Sequence, residues 1–150
     1  MSEKPDKTVI RAWARLMKAQ QRALGTIEGL LKTAGLPPLA WYDVLWALRR
    51  APRRRLRMGA LVEEVALSRT GLTRLVDRIE QAGLLRREPA PEDRRGSYVV
   101  ITPAGTAMLR KMWPVYEQVL DEAFAAVVRD PRTLRRSLEA IGRSRSRGRA

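Results

Sequence analysis

The apolar periodicity of this chain changes abruptly between Ser68 and Thr102, and that change restricts the fold more than any other feature. In SRTGLTRLVDRIEQ the residues Leu72, Leu75, Val76 and Ile79 recur at three- and four-residue steps. A helix puts all four on one face and turns Arg69, Thr70, Thr73, Arg74 and Arg78 outward. Ser68 is a suitable N-cap, and Gly83 stands where a helix ends on a left-handed residue. Beyond it, LLRRE and SYVVIT are short runs rich in branched residues, and PAPEDRRG between them carries the prolines and glycine of a turn. The stretch predicts a helix followed by a β-hairpin with arginines at its tip.

Upstream, MGALVEEVAL reads as a short helix with Leu61, Val62 and Val65 inward, which makes a helix-turn-helix pair with the helix from Ser68 to Ala82. LPPLAWYDVLWALRRAP reads as a helix opened after Pro37-Pro38 and closed by Pro52. Its buried face is expected to be Leu39, Trp41, Val44, Leu45 and Leu48, with Trp46 near the edge. RRAPRRRLR between these helices reads as a basic connector. Its Arg53, Arg54, Arg55 and Arg57 are either solvated charges or contacts to phosphate.

Two longer apolar stripes flank this centre. Val9, Trp13, Leu16, Met17, Leu24, Ile27, Leu30 and Leu31 mark one amphipathic helix from about Thr8 to Gly35, too long to bury its stripe against itself, so a second subunit is its natural cover. Thr102 caps a helix that Pro103 occupies at its first turn. The stripe Met108, Leu109, Met112, Trp113, Tyr116, Val119, Leu120, Ala123, Phe124 and Val127 continues along that helix, with a kink expected at Pro114. Asp130-Pro131 starts a last helix through Leu134, Leu138 and Ile141, and GRSRSRGRA reads as a basic, disordered tail.

Composition narrows the chemistry. With 30 Lys and Arg against 16 Asp and Glu, the formal charge of +14 points to a polyanionic partner, nucleic acid before membrane. No run of about 18 uncharged apolar residues is present, and MSEKPDKTV lacks a secretion-type apolar core, so a cytoplasmic location is expected. The chain has neither cysteine nor histidine, which excludes disulfides and thiolate nucleophiles and removes the commonest zinc ligand and general base. The adjacent carboxylates Glu63-Glu64, Glu92-Asp93 and Asp121-Glu122 point about 100° apart on a helix, so none makes a ready metal site. No enzyme, metal or cofactor is expected.

The helix ending in Gly83-Leu84-Leu85, the hairpin with Asp93-Arg94-Arg95, and Ile101-Thr102-Pro103-Ala104-Gly105 opening another helix resemble, in that order and spacing, the winged helix-turn-helix of the MarR family of bacterial transcription regulators. The resemblance extends from about Leu39 to Gly105, and the basic connector departs from it, since a shorter turn is usual there. It implies a mainly α fold with a small β-hairpin wing (α+β). The segments implied are a dimerisation helix at 1–36, the DNA-binding domain at 37–102, further dimerisation helices at 103–142 and a basic tail at 143–150. It also implies a homodimer acting as a repressor, released from a palindromic operator in double-stranded DNA by a small molecule, with aromatic acids the favoured class.

A helix-turn-helix places the start of its second helix in the major groove, which makes Ser68, Arg69, Thr70, Thr73 and Arg74 candidates for base contact and Arg78 and Arg86 candidates for phosphate. In the wing, the resemblance implies that Asp93 braces Arg95 and that Arg94 or Arg95 enters the minor groove. It further implies an effector cleft, with Trp13, Met17, Trp41, Tyr42, Trp46 and Met58 as candidate walls and an arginine nearby; simple core packing is the competing reading of these side chains. A charge-driven architectural DNA binder, and a winged module for protein contact, are the alternative functions.

Overall fold

The computed structural model describes residues 5–65, 69–93 and 95–143. Two compact units divide the chain, Met1–Tyr116 and Glu117–Ala150. In the first, α1 (Lys7–Thr33) ends at Gly35, whose φ of 68° closes the helix in the left-handed region. Next comes α2 (Leu39–Arg50), whose first amide is capped from outside by Glu28, with Oε1 accepting the Leu39 N–H at 3.0 Å. A 3-10 turn at Pro52–Arg54 leads into β1 (Arg55–Arg57), then α3 (Met58–Glu64), α4 (Arg69–Gln81), β2 (Leu85–Pro89), β3 (Ser97–Ile101) and α5 (Pro103–Val119), whose last three residues are counted with the second unit. Helix, hairpin and helix thus occur in the order that the periodicity predicts.

The supposed connector contains a strand. β1 pairs antiparallel with β3 in the register Arg55 to Val100, Leu56 to Val99 and Arg57 to Tyr98, so the expected two-stranded hairpin is a three-stranded sheet of order β1-β3-β2. The alternation Arg-Leu-Arg is the period-two signal, and three residues are too few for it to stand out without the partner strand. On one face of the sheet Leu85, Val99 and Ile101 are buried, while Arg57, Tyr98 and Glu88 form one cross-strand row on the other.

Leu72, Leu75, Val76 and Ile79 of α4 are buried, as are Val44, Leu45 and Leu48 of α2 and Leu61 of α3. Each such side chain contributes about 1.5–3 kcal/mol, an upper estimate for burial. On α2, Tyr42 takes the buried position expected of Trp41, which is half-buried, while Trp46 is exposed. Tyr42 packs its ring 5.1 Å from that of Tyr116. On α1 only Ile27 and Leu31 are buried; Val9, Ile10, Trp13 and Leu24 stay exposed, Trp13 at 54 %.

The long stripe after the wing does not lie on one uninterrupted helix. α5 passes through Pro114, then gives way to a π-helical turn at Leu120–Ala125, where the Ala126 N–H reaches the Asp121 carbonyl at 3.1 Å. The helix ends with that turn, so Val127, expected on the stripe, lies beyond its last residue. In the second unit Asp130 caps α6 (Pro131–Arg143), with Oδ1 accepting the amides of Arg132 and Thr133 at 3.1 and 3.2 Å. Phe124, Val127, Leu138 and Ile141 of that unit are exposed. Among the described residues no helix is long and apolar enough to cross a membrane.

Candidate nucleic-acid interface

Packing of its apolar face leaves Thr70, Thr73, Arg74 and Arg78 of α4 exposed. Arg69 begins the helix, and Ser68 and Arg94 lie outside the described residues, as does the tail from residue 144. The helix closes at Gly83, with φ 74° and its amide bonded to the Glu80 carbonyl at 2.8 Å. Its acidic residues are not idle. Asp77 and Glu80 both hold Arg87 of β2: Nη2 lies 2.5 Å from Asp77 Oδ1 and Nη1 lies 2.7 Å from Glu80 Oε1. Glu80 Oε2 also accepts the Arg87 backbone N–H at 2.7 Å. Partial burial of Arg87 opposes its charge, but the bonds to Asp77 and Glu80 outweigh it and raise the pKa. This fork fixes the hairpin to α4, and nothing in the local sequence pattern marks it.

The wing turn is a second charged network. Asp93 Oδ1 accepts the Arg95 backbone N–H at 3.0 Å, so its contact with Arg95 runs through the main chain. Its other oxygen, Oδ2, takes Arg57 Nη1 at 3.3 Å. Arg57 Nη2 reaches Glu92 Oε1 at 3.1 Å, and the Tyr98 hydroxyl donates to that same carboxylate oxygen. The Tyr98 hydrogen bond above all, then Glu92's own backbone amide and Arg57, holds the Glu92 carboxyl down at about 2. Arg55 stacks over the Tyr98 ring, with Cζ 4.1 Å from the centroid, and approaches Glu88 at 3.7 Å. Arg86 is exposed and pairs with Glu88 at 2.6 Å.

Of the four connector arginines that the sequence leaves open between solvent and phosphate, Arg55 and Arg57 are therefore committed to carboxylates and Tyr98 within the wing. Arg53 and Arg54 are exposed and both adopt the left-handed backbone, with φ of 55° and 53°. That conformation costs a residue with a Cβ about 1–2 kcal/mol, and glycine escapes the cost.

A cleft of about 420 Å³ opens between α2 and α5, lined by Tyr42, Trp46, Arg49, Thr106, Leu109, Arg110 and Trp113. Trp46 and Trp113 are 44 % and 39 % exposed, and the Tyr42 and Trp46 rings stack with centroids 6.2 Å apart. Two of the expected wall residues, Tyr42 and Trp46, line it; Trp13, Met17, Trp41 and Met58 do not. Spacing alone does not single out the arginines and Trp113 as wall residues, because they meet α2 only through the fold. Among the described residues no three carboxylates gather at a metal-holding distance.

Residues 34–96 match the sequence pattern of the MarR family. The HTH-type transcriptional regulator PecS of Dickeya dadantii is 31 % identical over 128 residues, covering 81 % of this chain and 73 % of PecS. Among solved structures, AbsC of Streptomyces coelicolor, a MarR family transcriptional regulator, has a TM-score of 0.81 at 25 % identity, with 97 % of both chains covered. Sco3205 from the same organism, another MarR family regulator, was solved in complex with DNA; it has a TM-score of 0.81 at 27 % identity, covering 97 % of this chain and 91 % of its own. These relatives are transcription regulators and not enzymes.

Proposed function

Because the chain belongs to the MarR family of transcription regulators, we propose that it binds operator DNA as a homodimer and represses transcription until a small molecule releases it. The observation that carries this reading is α4, whose apolar side is fully buried while Thr70, Thr73, Arg74 and Arg78 face solvent on a helix-turn-helix at whose flank the wing is held by Arg87. The complex of Sco3205 with DNA supports it. Ser68, Arg69, Thr70, Thr73 and Arg74 contact base edges, Arg78, Arg86, Arg53 and Arg54 contact phosphate, and Arg94 or Arg95 enters the minor groove. The segments 1–36 and 103–142 pair across a two-fold axis, consistent with the exposed Val9, Ile10, Trp13 and Leu24 in the first unit and Phe124, Val127, Leu138 and Ile141 in the second.

Two symmetric reading heads require an inverted repeat with half-sites about 10 base pairs apart. Selection of binding sites from genomic DNA by purified protein, at near-physiological salt, should recover that repeat. Diffuse enrichment with a steep salt dependence would instead establish architectural binding.

The effector site is the cleft between Trp46 and Trp113. Its aromatic walls suit a planar ring and Arg49 or Arg110 suits a carboxylate, which favours an aromatic acid. Tryptophan fluorescence should be quenched by such an acid in wild type and much less after Arg110→Ala. A ligand that binds but leaves operator affinity unchanged would remove the cleft from regulation, since release needs unequal affinity for the two states.

A further inference from the structure

We infer that Arg57 is the positioning residue of the wing: it holds the tip in place and does not itself grip DNA. This rests on the DNA-binding reading above and adds to it the part that sets where the wing points. β1 projects Arg57 across the sheet face toward the turn, where its guanidinium meets both tip carboxylates, Glu92 at 3.1 Å and Asp93 at 3.3 Å. The Arg57 Cζ also lies 5.3 Å from the Tyr98 ring centroid, and Tyr98 donates its hydroxyl to the same Glu92. Asp93 passes the restraint to the tip backbone by accepting the Arg95 amide at 3.0 Å. The chain therefore runs Arg57, Asp93, Arg95 in direct bonded contact, and Met58, the next residue, already begins α3. Arg57 thus links the wing tip to the start of α3, as Arg87 links the hairpin to α4.

Gly96 supplies the space this needs. A Cβ there would stand 3.0 Å from Arg57 Nη1 and 3.3 Å from Asp93 Oδ2, tighter than ordinary contact. A side chain at 96 would have to push the ends of Arg57 and Asp93 aside by a few tenths of an ångström, so glycine leaves their bridge undisturbed; its φ lies outside the left-handed region where Gly35 and Gly83 sit. A lysine in place of Arg57 keeps the charge but has no planar fork to bridge two carboxylates.

The sign of a charge change separates positioning from direct contact. Neutralising Glu92 and Asp93 removes two negative charges near DNA, so if Arg57 were a phosphate ligand the pair Glu92→Gln, Asp93→Asn would free it and tighten operator binding. If Arg57 positions the wing, the same pair releases the tip. Operator affinity then falls about tenfold, the worth of one good groove contact. Arg57→Gln should cause a similar fall, and combining it with the acidic pair should add little.

Arg57→Lys should fail to restore affinity. In the protein without DNA, amide hydrogen exchange at 90–97 should quicken in Arg57→Gln and in the acidic pair, while thermal unfolding shows both variants folded. Tighter binding by the acidic pair, or full rescue by lysine, overturns the inference and leaves DNA binding standing. Unchanged exchange at 90–97 overturns it as well. If the wild-type protein binds no duplex at all, the proposed function fails, and the exchange measurement still decides whether Arg57 holds the wing.

Discussion

Gly105 in the first turn of α5 offers a sharp test of how the wing is joined to the next helix. Alanine in a helix normally gains about 1 kcal/mol over glycine. Here a Cβ would stand 2.0 Å from the Leu84 carbonyl oxygen and 2.8 Å from Ile101 Cγ1. The obstacle is backbone, so α5 and the start of β2 must move apart by more than 1 Å to reach ordinary contact at 3.4 Å. Two hydrogen bonds cross that junction, the Thr102 amide to the Leu84 carbonyl at 3.1 Å and the Thr102 hydroxyl to the Gly83 carbonyl at 2.7 Å, and the same hydroxyl caps the helix by accepting the Gly105 amide at 3.1 Å. Overpacking costs about 1–3 kcal/mol, and strained hydrogen bonds lose about 1 kcal/mol each.

After the gain in helix propensity, Gly105→Ala should destabilise by about 2–4 kcal/mol, lowering Tm by about 5–15 °C for a chain of this size. Far-UV circular dichroism at fixed protein concentration would measure it, since association makes Tm depend on concentration. Gly59→Ala is the control: its Cβ meets open space in α3 and should be neutral or stabilising by up to about 1 kcal/mol. Equal stability of Gly105→Ala and wild type would refute the tight junction and with it the reason for glycine at this position.

The charged networks and the strained turn carry three further expectations. Arg87→Gln should cost about 1–2 kcal/mol in urea unfolding, the value of charged hydrogen bonds to Asp77 and Glu80 reduced for their partial exposure, and a null result would mean that the fork does not secure the hairpin. Arg53→Gly should raise stability by about 1–2 kcal/mol by removing left-handed strain while lowering operator affinity and the salt slope by about one phosphate contact; stabilisation without loss of affinity would remove Arg53 from the DNA contacts. Glu92 should titrate by NMR near 2 in wild type, and Tyr98→Phe should move the midpoint up toward the ordinary value of about 4.3. A carboxyl held low when folded stabilises the fold above its unfolded pKa, so the stability gap between wild type and Tyr98→Phe should be full at neutral pH and shrink as pH falls from about 4.3 to about 2. A Glu92 midpoint unmoved by Tyr98→Phe would show that this hydrogen bond does not set it.

The buried face of α4, its stop at Gly83, the paired strands β2 and β3 and the Asp130 cap were all legible in the sequence. The helix face, its stop and the cap depend on residues within a few positions of one another, and the two strands are joined by one short turn, so periodicity, capping and turn chemistry report them directly. The start Thr102-Pro103-Ala104-Gly105 was legible as a pattern, but its reason was not, because the atom that forbids a side chain at Gly105 belongs to Leu84. β1 was hidden for a similar reason: Arg55-Leu56-Arg57 becomes a strand by pairing with Tyr98, Val99 and Val100. The partners of Arg57 lie 36 residues away for Asp93 and farther for Tyr98, so a side chain that local composition assigns to solvent or phosphate is claimed by carboxylates that only folding brings near. The same holds for the cleft, where Arg110 and Trp113 of α5 meet Tyr42 and Trp46 of α2. Local order along the chain determined the elements and their faces; long-range packing decided which charges are spent inside the wing and which remain to meet DNA.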